Sequence, residues 1–242
     1  MISKKYKIAG KVVEINSIYE DVHKYCSKYL TDELPDYTVT IEDADIDYEV
    51  EVSEKEKEKN PGIEMNFDRN FLEILAAYRK IADKMIEYDT VLFHGSAISV
   101  DGVAYLFTAK SGTGKSTHTR LWREYLGDKA IMVNDDKPLI KIGDEVLVCG
   151  TPYNGKHKLG NNISVPLKAI CILTRSKDNH IEKITPKQAY TMILQQTNRP
   201  RDLEKMKKTI ELIDKLMEKV EFYLLGCNMD ISAAKVSYEG MK

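Results

Sequence analysis

Cysteine is scarce in this chain. Cys26, Cys149, Cys171 and Cys227 are the only four in 242 residues, and no two form a C-x-x-C pair. That scatter argues against a disulfide scaffold and a cysteine-bound zinc, and reads as reduced core thiols in a cytoplasmic protein. Long apolar runs are missing too. None approaches the roughly 20 residues of a membrane span, and Met1-Ile2-Ser3-Lys4-Lys5-Tyr6 leads into no apolar signal core, so neither membrane nor export is expected. Net charge is also small, at -2, which removes the basic field that nucleic-acid binding needs. The remaining composition, 43% hydrophobic and 31% charged, suits a soluble globular chain. Its length allows one large domain or a core with a smaller region attached.

Against these absences stands one dense stretch, Thr108-Ala109-Lys110-Ser111-Gly112-Thr113-Gly114-Lys115-Ser116-Thr117. It reads as a phosphate-binding loop of the Walker A type. Backbone N–H groups of Ser111, Gly112, Thr113 and Gly114 would cradle phosphate oxygens, with Lys115 on the β/γ-phosphates and the Ser116 hydroxyl on Mg²⁺. Thr117 completes the motif. Ala109 stands where the pattern has its first glycine, and alanine fits there unless the turn needs a positive φ. The context matches: the β-rich run Val103-Ala104-Tyr105-Leu106-Phe107 precedes the loop. A helix is expected over 115–126, with Leu121, Trp122, Tyr125 and Leu126 as its apolar stripe, and its N-terminus adds a positive dipole end.

Elsewhere the patterning predicts a strand over 4–15, a helix near 18–30 and a strand at 37–41. The charged run 42–60 reads as a solvated helix face or loop, closed by Asn60-Pro61-Gly62. A helix is predicted over 67–88. The Asp101-Gly102 signal joins 97–100 and 103–107 as a hairpin, so the strand feeding the loop is a return arm. Further strands are expected at 91–93, 130–134, 139–142, 146–149, 167–173 and 220–225. Further helices are expected at 186–196, 201–219 and 232–236.

Asp135 and Asp136 end the strand at 130–134, about twenty residues past Lys115, where a Walker B acid is expected. One carboxylate would hold Mg²⁺ and the other would take the proton of an attacking hydroxyl. The alternative is an Asx turn closing a strand. His94, in His94-Gly95-Ser96, is either a turn residue or a group that neutralises phosphoryl charge. The polar loop 151–162 offers Lys156, His157, Lys158 and Asn161 for acceptor recognition. Arg175 and Arg199 are further candidates for phosphate contacts.

The string Phe93-His94-Gly95-Ser96, Asp101-Gly102, Ser111-Gly112-Thr113-Gly114-Lys115-Ser116 and Val133-Asn134-Asp135-Asp136 resembles the HPr kinase/phosphorylase superfamily. Its Ser-Gly-Thr-Gly-Lys core is also similar to the phosphate loop of phosphoenolpyruvate carboxykinases, which share that fold. Gly150-Thr151-Pro152-Tyr153-Asn154-Gly155-Lys156 looks like a motif of short HPr-kinase-related proteins. The resemblance implies an α/β P-loop kinase core with a mixed sheet and flanking helices over 67–242, and a small α+β N-terminal region over 1–66. It implies His94 beside the metal, Asp135 as proton acceptor, Asp136 linked to Mg²⁺, and Lys115 and Ser116 on phosphate and metal. The segment that follows the Asp pair in true HPr kinases is absent, as is their N-terminal module, which argues against HPr as substrate.

The expected activity is Mg²⁺-dependent transfer of a phosphoryl group from a nucleotide to a hydroxyl. ATP is the expected donor, with ADP or pyrophosphate the alternatives. The acceptor is a small molecule or a serine of a peptide or protein. A nucleotide-binding regulatory protein without turnover is the competing reading. Superfamily members often assemble, so the resemblance leaves room for a homo-oligomer.

Overall fold

A computed structural model of the chain describes residues 1–59, 68–155 and 158–242. The chain forms two compact units, Met1–Lys84 and Met85–Lys242. The boundary expected at 66/67 therefore moves: the helix after it makes its contacts with the first unit.

The first unit contains strands β1 (Ile2–Ile8), β2 (Lys11–Ser17) and β3 (Tyr37–Thr40), with helices α1 (Asp21–Tyr25), α2 (Asp43–Lys59) and α3 (Arg69–Met85). The single strand expected over 4–15 is a hairpin. Its turn is Ala9-Gly10, with φ of 51° and 77°. Glycine takes that conformation freely, whereas alanine there is uncommon and gives no sequence signal. The helix expected near 18–30 is only Asp21–Tyr25, followed by a 3₁₀ turn at Ser27–Tyr29, because Leu30 leaves to bridge Tyr6 of β1. The charged run is helical, and acidic residues of its first half are paired with α3. Arg69 binds Asp43 and Asp47 at 2.7 and 2.8 Å, and Arg79 binds Glu49 at 2.6 Å. Lys80 pairs with Asp45. Each such pair supplies only about 0.2–1 kcal/mol where exposed. Fully buried Ile46 and Leu72 contribute more, roughly 1.5–3 kcal/mol each.

The second unit is a curled mixed sheet with helices on both faces. Its strands are β4 (Thr90–Leu92), β5 (Ser96–Val100), β6 (Val103–Thr108), β7 (Ala130–Asn134), β8 (Leu139–Ile142), β9 (Val146–Cys149), β10 (Ser164–Arg175), β11 (His180–Ile184) and β12 (Glu221–Cys227). Its helices are α4 (Lys115–Leu126), α5 (Pro186–Gln196), α6 (Leu203–Lys219) and α7 (Ser232–Met241). The order is β4-β8-β9-β10-β6-β5-β7, with β12 pairing β10 and β11 pairing β12. β10 bends the sheet: its start is antiparallel to β9 and its end is parallel to β6 and β12. Strand alternation sends Leu106, Ile170 and Ile172 to one core with Leu212 and Leu216 of α6. Phe107, Cys171 and Leu225 go to another with Trp122 of α4 and Ala233 of α7. Strands buried on both faces read as continuous apolar runs, which is why the sequence located them. β11 escaped that reading because its side chains are largely exposed. On α4, Leu121 and Trp122 are buried as expected, but Tyr125 is exposed.

His118 of α4 is packed into this second core, edge-on to Phe107 at a ring separation of 4.6 Å. Trp122 Nε1 donates to Ser237 Oγ at 2.7 Å, and His118 Nε2 lies 3.0 Å from the same oxygen. Burial pushes the imidazole from its ordinary 6.5 down to about 3. The unfolded chain therefore takes up a proton below about pH 6.5 that the folded chain refuses, and stability must fall as pH drops through that window. Urea unfolding at pH 7 and pH 5 should show a loss for the native chain that His118→Gln reduces. Equal losses in the two would contradict the buried neutral imidazole.

Candidate active site

Strand register brings the expected site residues to one edge of the sheet. β5 lies between β6 and β7, antiparallel to both, with Ser96 opposite Phe107 and Ala97 opposite Asn134. The C-terminal ends of β6 and β7 therefore meet the start of β5. The Gly-rich loop leaves β6, Asp135-Asp136 leave β7, and His94-Gly95 enter β5 at the same level. β10 runs parallel to β6 with Ile172 opposite Thr108, so Arg175 overhangs the loop. The carboxyl ends of parallel strands are where ligands bind in open α/β sheets.

In the loop, Gly112 and Gly114 have φ of 74° and 116°. Neither has backbone or another side chain within 3.4 Å of a built Cβ, so conformation rather than space calls for glycine. Ala109 has no positive φ and is buried, which explains why alanine serves there. Ser111 is exposed and Thr113 half-buried. The Thr113 amide donates to the Lys110 carbonyl at 3.2 Å. α4 starts at Lys115 with no side-chain cap, leaving its first amides open toward the loop, an arrangement suited to an anion. Lys115 Nζ donates to the Ala109 carbonyl at 3.3 Å. Burial pulls its ammonium below the ordinary value, against the attraction of Asp136. Ser116 is exposed and Thr117 half-buried. Arg175, read from sequence as a phosphate candidate, donates to the Gly112 carbonyl at 2.7 Å. Arg199 is exposed and lines neither cavity beside the loop.

The two aspartates occupy different surroundings. Asp135 is 4% exposed and accepts from Ser96 Oγ at 3.2 Å, with Thr119 Oγ1 3.0 Å from that hydroxyl. Gly155 passes so near that a Cβ there would lie 3.0 Å from Asp135 Oδ2. Asp136 is more open and sits 3.3 Å from His94 Nε2. Burial works against its ionisation, but the His94 hydrogen bond and nearby Lys137 and Lys115 hold the carboxyl below the usual range. His94 is fixed through its backbone: its N–H donates to the Gln196 carbonyl at 2.8 Å, and its own carbonyl accepts from Thr108 Oγ1 at 3.0 Å. Among the described residues no cluster of three His, Cys, Asp or Glu forms a metal cage. Mg²⁺ needs no such cage, because it keeps waters and substrate phosphates and takes one or two carboxylates.

Sequence reasoning missed what holds the aspartates in place. Asn134 is fully buried. Its Oδ1 accepts from the amides of Asp136 and Lys137 at 2.9 and 2.7 Å, and its Nδ2 donates to Thr151 Oγ1 at 3.0 Å. Asn154 Oδ1 receives the Asp135 amide at 3.4 Å. An Asx turn does close the strand, but it is made by Asn134 rather than by either aspartate. Asn161, expected to recognise an acceptor, is used structurally: its Nδ2 donates to the Met132 carbonyl at 2.8 Å and its amide to Val133 at 3.1 Å. Lys158 is exposed. Lys156 and His157 lie outside the described residues.

Two cavities flank the start of α4. One, of about 500 Å³, is lined by Gly112, Thr113, Gly114, His118, Arg175 and Asn228, with Leu121, Cys227 and Met229 as apolar wall. The other, of about 280 Å³, contains Asp135 with Ser116, Thr119, Arg120, Arg123 and Leu159. Thr117 lines both.

Fold and site together define a mixed α/β protein with a Gly-rich loop, an acidic pair and a histidine at the carboxyl edge of its sheet. The family model described as SynChlorMet cassette protein ScmC matches residues 63–230, well over half of the chain, and the protein belongs to that family. No curated protein matches it. Among solved structures, the Hpr(Ser) kinase/phosphatase from Coxiella burnetii is similar at 11% identity, over 62% of this chain and 95% of that one, with a TM-score of 0.36.

Asn134→Ala should lower stability by about 1–3 kcal/mol, because it leaves two turn amides and a buried hydroxyl short of a partner. Chemical denaturation measures this directly. An unchanged midpoint would show that the turn does not depend on Asn134.

Proposed function

We propose that the chain is a Mg²⁺-dependent phosphotransferase that moves a phosphoryl group from a nucleotide, ATP in the first instance, to a hydroxyl. The observation that carries this reading is the register of β5 against β6 and β7, which sets the Gly-rich loop, Asp135, Asp136 and His94 side by side with a cavity on each side of α4. A binding protein without turnover has no need of a second, buried carboxylate in a separate cavity.

The larger cavity, floored by the loop glycines and walled by Leu121, Cys227 and Met229, suits the nucleoside of the donor. The loop amides and Lys115 would hold its phosphates. Arg175 would fix the loop through Gly112. Ser116 and Asp136 would hold Mg²⁺, which when bound neutralises charge on the phosphate oxygens. The His94 contact keeps the Asp136 carboxyl ionised and in place. His94 and Lys115 would meet charge developing on the transferred group. Asp135, in the smaller cavity, would take the proton of the acceptor hydroxyl, while Ser96 and Gly155 restrict its carboxylate to one orientation.

The acceptor is a small molecule or a serine side chain. ³¹P NMR with Mg²⁺-ATP and pooled hydroxyl metabolites and serine peptides should show a new phosphoester. Asp135→Asn should reduce its formation by roughly 10²–10⁴-fold and leave nucleotide affinity within a few-fold. Full activity in that variant would remove Asp135 as the base.

A further inference from the structure

The cavity beside Asp135 has a charge pattern that phosphoryl transfer alone does not require. Ser116, Arg120 and Arg123 lie four and seven residues apart on α4, hence on one helix face, and all line this cavity. Arg120 pairs with Glu124 and is largely exposed. Arg123 is half-buried, and among the described residues no hydrogen bond or ion pair engages its guanidinium. A guanidinium offers five donors and no acceptor, so a sheltered one favours an anion as partner. The donor's phosphates would stay at the loop end of α4, near Ser116, because the loop glycines and Arg175 face the other cavity. Seven residues of helix also set the Arg123 backbone about 10 Å beyond Ser116.

We propose that the hydroxyl acceptor is itself an anion: a small hydroxy acid or phosphorylated alcohol. Its charged group sits on Arg123, with Arg120 as an outer contact, and its hydroxyl reaches Asp135. This assignment rests on the phosphotransferase reading of the site. A volume of about 280 Å³ holds a metabolite rather than a folded segment of another protein. Leu159 supplies an apolar wall for the carbon chain. In the reaction the acceptor oxygen forms a bond to the γ-phosphorus. The bond from that phosphorus to the bridging oxygen breaks, and the nucleoside diphosphate leaves with its electron pair. The hydroxyl proton passes to Asp135. Arg123 takes no part in the bond changes and acts only in binding.

The test is phenylglyoxal labelling of Arg123, read by peptide mass spectrometry, run beside a phosphoryl-transfer assay on the same compounds. L-serine and glycerate are compared with their amides, and glycerol 3-phosphate with glycerol, so that carboxylate and phosphate recognition are separated. At least one acid should slow Arg123 labelling fivefold or more while its neutral analogue does not. Arg123→Gln should raise the KM for that acid at least tenfold with kcat and Mg²⁺-ADP affinity unchanged, and Arg123→Lys should recover part of the loss. Labelling that no acid alters, or equal phosphorylation of acids and neutral analogues by the native chain and Arg123→Gln, overturns the proposal. Protection of Arg123 with no transfer to any compound overturns the phosphotransferase reading instead and leaves the anion site standing.

Discussion

Everything at the candidate site depends on the pairing of β5 between β6 and β7. A strand register is discrete, and a slip of one residue turns every side chain to the opposite face. With Ser96 opposite Phe107 and Ala97 opposite Asn134, the Ser96 hydroxyl reaches both Asp135 and Thr119. Gly95 permits this closeness, since a Cβ there would meet the Phe107 carbonyl at 3.0 Å. The apolar cores on the two faces of the sheet hold the register, because a slip would exchange side chains such as Leu106 and Phe107 between two differently packed cores. The site is thus fixed by packing far larger than any of its own hydrogen bonds, each worth only about 0.5–1.5 kcal/mol.

Electrostatics then divides two neighbouring carboxylates. Asp136 lies among His94, Lys115 and Lys137, which keep it ionised despite burial. Asp135 accepts from the neutral Ser96 hydroxyl, lies against the backbone pass at Gly155, and faces the cavity with Arg120 and Arg123. Adjacent residues at a strand end must diverge, and the Asn134 clamp sets how they do so. Lys115, partly desolvated and folded onto the Ala109 carbonyl, would gain a far better partner in a phosphate.

The loop, the acidic pair, the return-arm hairpin and most strands of the second unit were legible in sequence because each is a local pattern: glycines at fixed offsets, an Asp-Gly turn, apolar runs. The ties among them were not. Asn134 carries no local signal of its clamp, and Asn161 reads as an acceptor contact; only in the folded chain do their amides reach Thr151 and Met132. The second cavity was equally hidden, since it combines a helix face with a strand end and a distant loop. The Ala9 turn and the polar edge strand β11 lack the glycine and apolar signals that mark such elements. The helix α3 is legible as a helix, but its membership in the first unit rests on long-range contacts, the burial of Leu72 and the pairs with Asp43, Asp47 and Glu49.

We propose the Gly-rich loop and the start of α4 as a nucleotide phosphate site. Amide hydrogen exchange with and without Mg²⁺-ADP tests it most directly. Slowed exchange concentrated in residues 109–118, and lost in Lys115→Ala, is the predicted result. Unchanged exchange at saturating Mg²⁺-ADP, or protection confined to segments away from the loop, would contradict the account.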